Sequence, residues 1–135
     1  MTYIIDNQMH KRKINELLGF TGSLNIPESI AIIEMGAFFN CLGFTGTLSL
    51  PNGLTKIEKD TFYNCNGFTG LVFGNNLYSI MNAAFYNCSA IEGKVVFPMV
   101  LNYMEEEAFY KCDKVKAFNY YGITLFCIIY FSIVR

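Results

Sequence analysis

Hydrophobic and polar positions follow one pattern that recurs along the chain. The stretch of residues 43–66, GFTGTLSLPNGLTKIEKDTFYNCN, is repeated nearly intact on both sides of itself. Four units of 24, 24, 23 and 24 residues result, at 19–42, 43–66, 67–89 and 90–113. A period in this range is typical of solenoids, in which one unit buries its apolar face only against its neighbours. The pattern therefore predicts a single stacked array.

Each unit contains a short segment in which every second residue is apolar. An alternation of period two places the first and third residues on one face of a β-strand. We expect these residues in the core: Leu24 and Ile26, Leu48 and Leu50, Leu71 and Phe73, Val95 and Phe97. Residues that do not suit the interior of a sheet then end each strand, namely Pro27, Pro51, Gly74 and Pro98.

A second apolar pair and a tight turn complete the unit. The pair has its members three residues apart: Ile30 and Ile33, Leu54 and Ile57, Leu77 and Ile80, Leu101 and Met104. In the turn, a Phe precedes a Cys by three residues: Phe38 and Cys41, Phe62 and Cys65, Phe85 and Cys88, Phe109 and Cys112. Residues at this spacing share a face of an α or 3₁₀ turn. We predict a short helical turn with Phe and Cys inside.

A Gly-Phe-Thr-Gly motif, which closes one coil and leads into the next at the unit boundary, predicts special backbone geometry. It stands at 19–22, 43–46 and 67–70, and as Ala-Ile-Glu-Gly at 90–93. Glycines at fixed places indicate a positive φ or a close approach to the next coil. The third unit lacks one residue after its motif, so the extra residue of the other units is predicted to form a small bulge: Ser23, Thr47 and Lys94.

These residues resemble the BspA-like class of leucine-rich repeat proteins, whose unit has the form LxIPxxIxxIxxxAFxxCxGfTG. The resemblance covers residues 19–113, and the third unit keeps the LxxLxL core spacing. We accordingly predict a β-rich solenoid, a leucine-rich repeat array of about four coils of 23–24 residues with short parallel strands and short helical turns. The resemblance further implies a cell-surface or extracellular protein that binds host proteins or other cells.

Both ends of the chain depart from the repeat. Residues 1–18 are predicted to form a degenerate N-terminal cap, and residues 114–135 a degenerate fifth coil or an apolar tail. Because residues 118–134 carry no charge, the alternatives for the tail are a short membrane anchor and a chain end whose continuation is missing. The N-terminus lacks the pattern of a secretory signal, so we expect either an intracellular protein or part of a longer chain.

Composition argues against several classes of function. With 135 residues, a net charge of −1 and 53% hydrophobic residues, the chain fits one packed domain and not a nucleic-acid-binding protein. The basic run 11–13 and the lone His10 are interpreted as exposed polar positions, and Glu105–Glu107 as a solvated rim. Phosphate loops, nucleophile elbows and converging acid–base pairs are absent from the sequence, so we expect no enzyme, catalytic residue or cofactor.

Four cysteines occupy the same place in successive units. Stacked coils place equivalent residues about 4.8 Å apart, so these cysteines should form a ladder. A tetrahedral metal site needs thiolates that converge on one point, and a linear ladder diverges from it. We expect the cysteines to pack as small buried hydrophobes, with inter-coil disulfides or a metal site as alternatives.

The residue after each core Phe is the candidate for binding. It should lean outward and form an aromatic strip with polar neighbours, made of Phe39, Tyr63, Tyr86 and Tyr110 beside Asn40, Asn64 and Asn87. The alternative is that these rings pack over the turn of the adjacent coil. The sequence thus favours a protein-recognition module that binds a host or neighbouring-cell surface protein. A structural fragment of a longer repeat protein and a membrane surface protein anchored by its tail are the alternatives, and the oligomeric state is not predicted.

Overall fold

The molecule is a stack of short parallel strands joined by tight turns. A computed structural model describes the backbone of residues 2–4 and the whole of residues 21–120. This part of the chain contains nine strands and no helix. The strands are β1 (Thr2–Ile4), β2 (Ser23–Asn25), β3 (Gly46–Ser49), β4 (Lys56–Ile57), β5 (Phe68–Val72), β6 (Ser79–Ile80), β7 (Gly93–Val96), β8 (Tyr103–Met104) and β9 (Val115–Asn119).

The strands stack in two columns that run along the solenoid. In the first column β1 pairs with β2, β3 with β5 and β7 with β9, and a bridge between Gly22 and Phe44 connects the β2 and β3 coils. The second column is the three-stranded sheet β4–β6–β8. Every ladder is parallel. Because paired residues are separated by about one repeat, each coil lies directly on the next, and the predicted β-rich solenoid is confirmed.

The third side is built from consecutive β-turns where the sequence predicted short helical turns. Every second N–H group closes a turn, as Tyr63 does on the carbonyl of Asp60 (N···O 3.2 Å). The N–H groups between them donate to the next coil, as Phe62 does to the carbonyl of Ala84 (2.8 Å). A helix would direct all its N–H groups along its own axis. The backbone bonds between coils therefore exclude it, and we call this side the turn face: residues 34–41, 58–65, 81–88 and 105–112.

The core lies between the three sides and contains the predicted apolar residues. Both members of each apolar pair are buried, as are the Phe and the Cys that stand three residues apart in each turn. Equivalent Phe rings form a continuous stack with centroid distances of 5.0–5.4 Å, made of Phe38, Phe62, Phe85 and Phe109. Phe44 of the closing motif joins the core at 1% exposure, with its ring 5.9 Å from that of Phe68. Burial of each such ring stabilises the fold by about 2–3 kcal/mol.

Two of the three predicted bulges are present, at Thr47 and Lys94. Register shifts fall between Gly46 and Thr47 and between Gly93 and Lys94. Gly46 and Gly93 have φ of 78° and 76°, which an L-residue adopts only with strain. The β1–β2 ladder, which contains Ser23, has no such shift.

The array continues past the fourth unit for at least one strand. β9 pairs with β7, and the Phe118 ring stacks on that of Phe97 at 6.0 Å. The fifth coil remains a prediction, because residues 121–135 with Cys127 lie outside the described residues. Most of the predicted cap lies outside them too, together with His10 and the basic run 11–13. Within the described ranges, no helix has the length and apolar character needed to cross a membrane.

Replacement of Gly67 by Ala should destabilise the protein by about 3 kcal/mol. A Cβ atom at this position would overlap the carbonyl oxygen of Phe44 in the preceding coil, and both groups belong to the backbone. The coils would have to separate locally to relieve the overlap. The free energy of unfolding, measured with a chemical denaturant, checks the expectation.

Gly53→Ala is the matched control. Its Cβ would lie 3.3 Å from the carbonyl oxygen of Ile30, and Gly53 does not have positive φ. We expect a change of less than about 1 kcal/mol. Equal losses in the two variants would contradict the role assigned to close coil contact at Gly67.

Candidate functional site

Two residues in each turn adopt positive φ, and they determine which side chains point outward. The first column consists of Gly36, Asp60, Ala83 and Glu107, with φ between 55° and 65°. The second consists of Asn40, Asn64, Asn87 and Lys111, with φ between 55° and 62°. Asparagine tolerates this conformation better than most residues. Between the two columns, the core Phe points inward and its successor points to the surface.

The successors form a continuous aromatic strip along the turn face. Ring centroids of Phe39 and Tyr63 are 4.7 Å apart with an interplanar angle of 12°, and those of Tyr63 and Tyr86 are 4.6 Å apart at 6°. Tyr86 and Tyr110 follow at 5.1 Å, tilted by 34°. The sequence-predicted strip residues are thus brought together. We call these four residues the aromatic strip.

The asparagines form an amide ladder beside the strip. Nδ2 of Asn64 donates to Oδ1 of Asn40 at 3.0 Å, and Nδ2 of Asn87 donates to Oδ1 of Asn64 at 2.7 Å. The central amide, Asn64, therefore uses its donor on the coil before it and its acceptor on the coil after it. This network fixes the side chains next to the aromatic strip.

Charged side chains flank the strip at its C-terminal end. Lys111 takes the fourth place of the amide column, and its Nζ lies 6.0 Å and 5.8 Å from the ring centroids of Tyr86 and Tyr110. Partial burial raises the pKa of the Tyr63 phenol, and Tyr86 and the carboxylate of Asp60 raise it further. Lys111 opposes this increase in pKa. Sequence reasoning missed Lys111, although its position in the Asn column was a readable signal.

The strip can offer ring edges and hydroxyl groups to a partner, but not its inner ring faces. Those faces are covered by the neighbouring rings, which is a form of the packing alternative that the sequence left open. The outer edges remain accessible: Phe39 is 40% exposed, and the three tyrosines are half-buried. The binding role of the strip stays a prediction.

The cysteine column is buried and reduced. Sγ of Cys65 donates to the carbonyl of Phe38 at 2.9 Å, and Cys88 and Cys112 make the same bond one coil later each. Burial raises the pKa of Cys41 to about 11 and that of Cys112 to about 12. These thiols are therefore protonated at neutral pH, and their predicted packing role is confirmed. Across residues 2–4 and 21–120, no three potential metal ligands cluster together.

Comparison with protein families connects this architecture to a known repeat. A family profile described as a BspA type leucine rich repeat region (6 copies) matches residues 20–128. The chain belongs to this family. The resemblance drawn from the repeat sequence is confirmed. Leucine-rich repeats of this kind form a scaffold that is typical of non-enzymatic proteins.

A solved structure shares the fold of this BspA-type protein. It is the crystal structure of a leucine rich cell surface protein from Faecalibacterium prausnitzii, with a TM-score of 0.64 and 19% sequence identity. The alignment covers 72% of the present chain and 26% of the other chain, so this chain spans about a quarter of that protein's length. No curated protein matches the sequence.

Replacement of Asn64 by Ala should destabilise the BspA-type array by about 2 kcal/mol. The variant loses both ladder bonds of this residue and places Ala in a left-handed conformation. Thermal unfolding followed by circular dichroism measures the effect. Asn66→Ala removes an exposed amide two residues away, outside the ladder, and should change stability by less than about 0.5 kcal/mol. Similar losses in the two variants would show that the ladder is not stabilising.

The free energy of unfolding should fall as the pH rises above about 9, which is the ordinary pKa of a cysteine thiol and the value expected in the unfolded chain. The unfolded chain loses the Cys112 proton near that pH, whereas the folded chain keeps it up to about 12, so folding is favoured fully below pH 9 and progressively less above it. At pH 10, Cys112 should account for about 1 kcal/mol of lost stability.

The measurement is the free energy of unfolding from pH 7 to pH 10 in the presence of a reductant. Cys112→Ala should show a shallower alkaline decrease than the wild type. Val95→Ala truncates another buried residue and should lower stability equally at every pH. Parallel curves for Cys112→Ala and the wild type would contradict the assignment.

Proposed function

We propose that this chain is a non-enzymatic protein-recognition module of a cell-surface or secreted protein, and that it binds its partner through the aromatic strip. The observation that carries the proposal is the strip itself, four stacked aromatic residues with their edges at the surface. The leucine rich cell surface protein of similar fold supports the location and not the partner.

The arrangement suits recognition because its side chains are already ordered. Tyrosine combines a large contact area with a polar hydroxyl group and is enriched at protein interfaces. Binding normally requires that flexible side chains be immobilised, at about 0.5–1.5 kcal/mol each. Stacking holds Tyr63 between Phe39 and Tyr86, and the amide ladder holds the adjacent asparagines. Much of that ordering is complete before a partner arrives.

The size of the strip limits what these coils bind alone. A stable interface buries about 800 Å² on each partner, which is more than four ring edges provide. The partner therefore also contacts the charged residues beside the strip. As a second candidate, this chain acts as one segment of a longer array, which the 26% coverage of the similar cell surface protein favours.

The experiment is a selection of random displayed peptides on the immobilised full chain. We expect enriched peptides that lose at least tenfold in affinity for the variant Tyr63→Ser/Tyr86→Ser, because the strip no longer presents its two central rings. The variant should lose about 2 kcal/mol of stability from broken stacking, so its fold is checked by circular dichroism at the binding temperature.

Tyr78→Ser/Tyr103→Ser is the matched control. These two tyrosines are 52% and 45% exposed and lie outside the turn face. Peptides selected on the wild type should bind this variant with unchanged affinity. Retained affinity for the strip variant, or an equal loss in the control, would overturn the proposal.

A further inference from the structure

The solenoid concentrates its negative charge on the turn face. Six of the eleven acidic residues of the chain lie there, whereas only two of its ten basic residues do. The acidic residues are Glu34, Glu58, Asp60, Glu105, Glu106 and Glu107, and the basic ones are Lys59 and Lys111. Outside the turn face, exposed lysines lie on two strands of the first column, Lys94 on β7 and Lys116 on β9.

Two of these acidic residues, Asp60 and Glu107, lie close enough to the aromatic strip to act electrostatically on the Tyr63 phenol. The Tyr63 N–H donates to the carbonyl of Asp60, and the Tyr110 N–H donates to that of Glu107 at 3.1 Å. Each acid therefore begins the turn that ends in a strip ring. Among the described residues the ion pair within 4 Å is Lys56–Glu58 at 3.5 Å, so neither Asp60 nor Glu107 has a lysine of this part of the chain as its partner.

The strip already accepts a cation at one end. The ammonium group of Lys111 lies 6.0 Å and 5.8 Å from the centroids of Tyr86 and Tyr110, at the outer limit of a cation–π interaction. The equivalent places in the preceding coils are filled by the neutral Asn40, Asn64 and Asn87. Nearer Tyr63 the strip has similar ring edges and Asp60 nearby, and within residues 21–120 no lysine lies over the Phe39 or Tyr63 ring.

We infer that the turn face binds a basic segment of a partner protein, whose arginine or lysine side chains lie across the aromatic strip between Asp60 and Glu107. The inference rests on the proposed function and names the partner's chemistry. Arginine suits this surface especially, since its planar guanidinium pairs with carboxylates and its five N–H donors can also reach the tyrosine hydroxyl groups. The net negative charge of the face also draws such a segment toward it, and this attraction weakens as salt screens it.

The test uses the full chain and three short fluorescent peptides of equal length: alternating arginine and glycine, the same with glutamine for arginine, and the same with glutamate. Fluorescence anisotropy should detect binding of the arginine peptide alone. Affinity should fall at least tenfold as the salt concentration rises from about 0.05 M to about 0.5 M. The variant Asp60→Asn/Glu107→Gln should bind the arginine peptide at least fivefold more weakly.

Glu92→Gln removes an exposed carboxylate outside the turn face and should leave the affinity unchanged. Equal binding of the arginine and glutamine peptides, or equal loss in the Glu92 variant, would overturn the inference. So would self-association of the chain that Lys94→Gln/Lys116→Gln abolishes, because a second copy would then be the occupant of the turn face.

The peptide selection separates this inference from the proposed function. Selected peptides that require Tyr63 and Tyr86 but carry no excess of basic residues, and bind Asp60→Asn/Glu107→Gln normally, would leave recognition by the strip intact and overturn the basic partner. Selected peptides rich in arginine that lose affinity for both variants support the two together.

Discussion

Backbone hydrogen bonding between successive coils is the constraint from which the rest of this structure follows. The N–H groups of the strands and every second N–H group of the turns donate to the neighbouring coil. Equivalent residues are therefore held one coil spacing apart, which is also a suitable distance for stacked aromatic rings and for amide-to-amide bonds. The same constraint brings the Gly67 backbone against the Phe44 carbonyl and leaves no room for a side chain there.

Most of this fold could be predicted from the sequence because equivalent residues of successive coils stack into columns. A residue type that recurs at one place in each unit meets its own equivalents, so the burial of Phe62 and Cys65 followed from their period and polarity. The turn conformation did not follow. A spacing of three residues is shared by a helical turn and by consecutive β-turns, and the choice depends on bonds to the next coil that a single unit does not encode.

The candidate site was predictable in its membership and not in its geometry. Alternation about the core Phe placed Tyr63 and Tyr86 outside, and the structure places them there with parallel rings. The contact of Lys111 with the rings could not be derived in the same way, because only its place in the Asn column is readable and not that its ammonium group lies near Tyr86 and Tyr110. The period of the repeat predicts where recurring residues lie, whereas the contacts of a residue that breaks the repeat are seen only in the structure.

The hydrogen bonds of the amide ladder all point the same way along the solenoid, and Lys111 cannot continue them. Both bonds of the ladder run the same way: the N–H donor belongs to the later coil and the oxygen acceptor to the earlier one. A lysine side chain has three donors and no acceptor. An amide in a following coil would therefore find no side-chain oxygen at Lys111 to accept its hydrogen bond. The side-chain ladder ends at this residue, whereas the backbone ladder continues from β7 to β9.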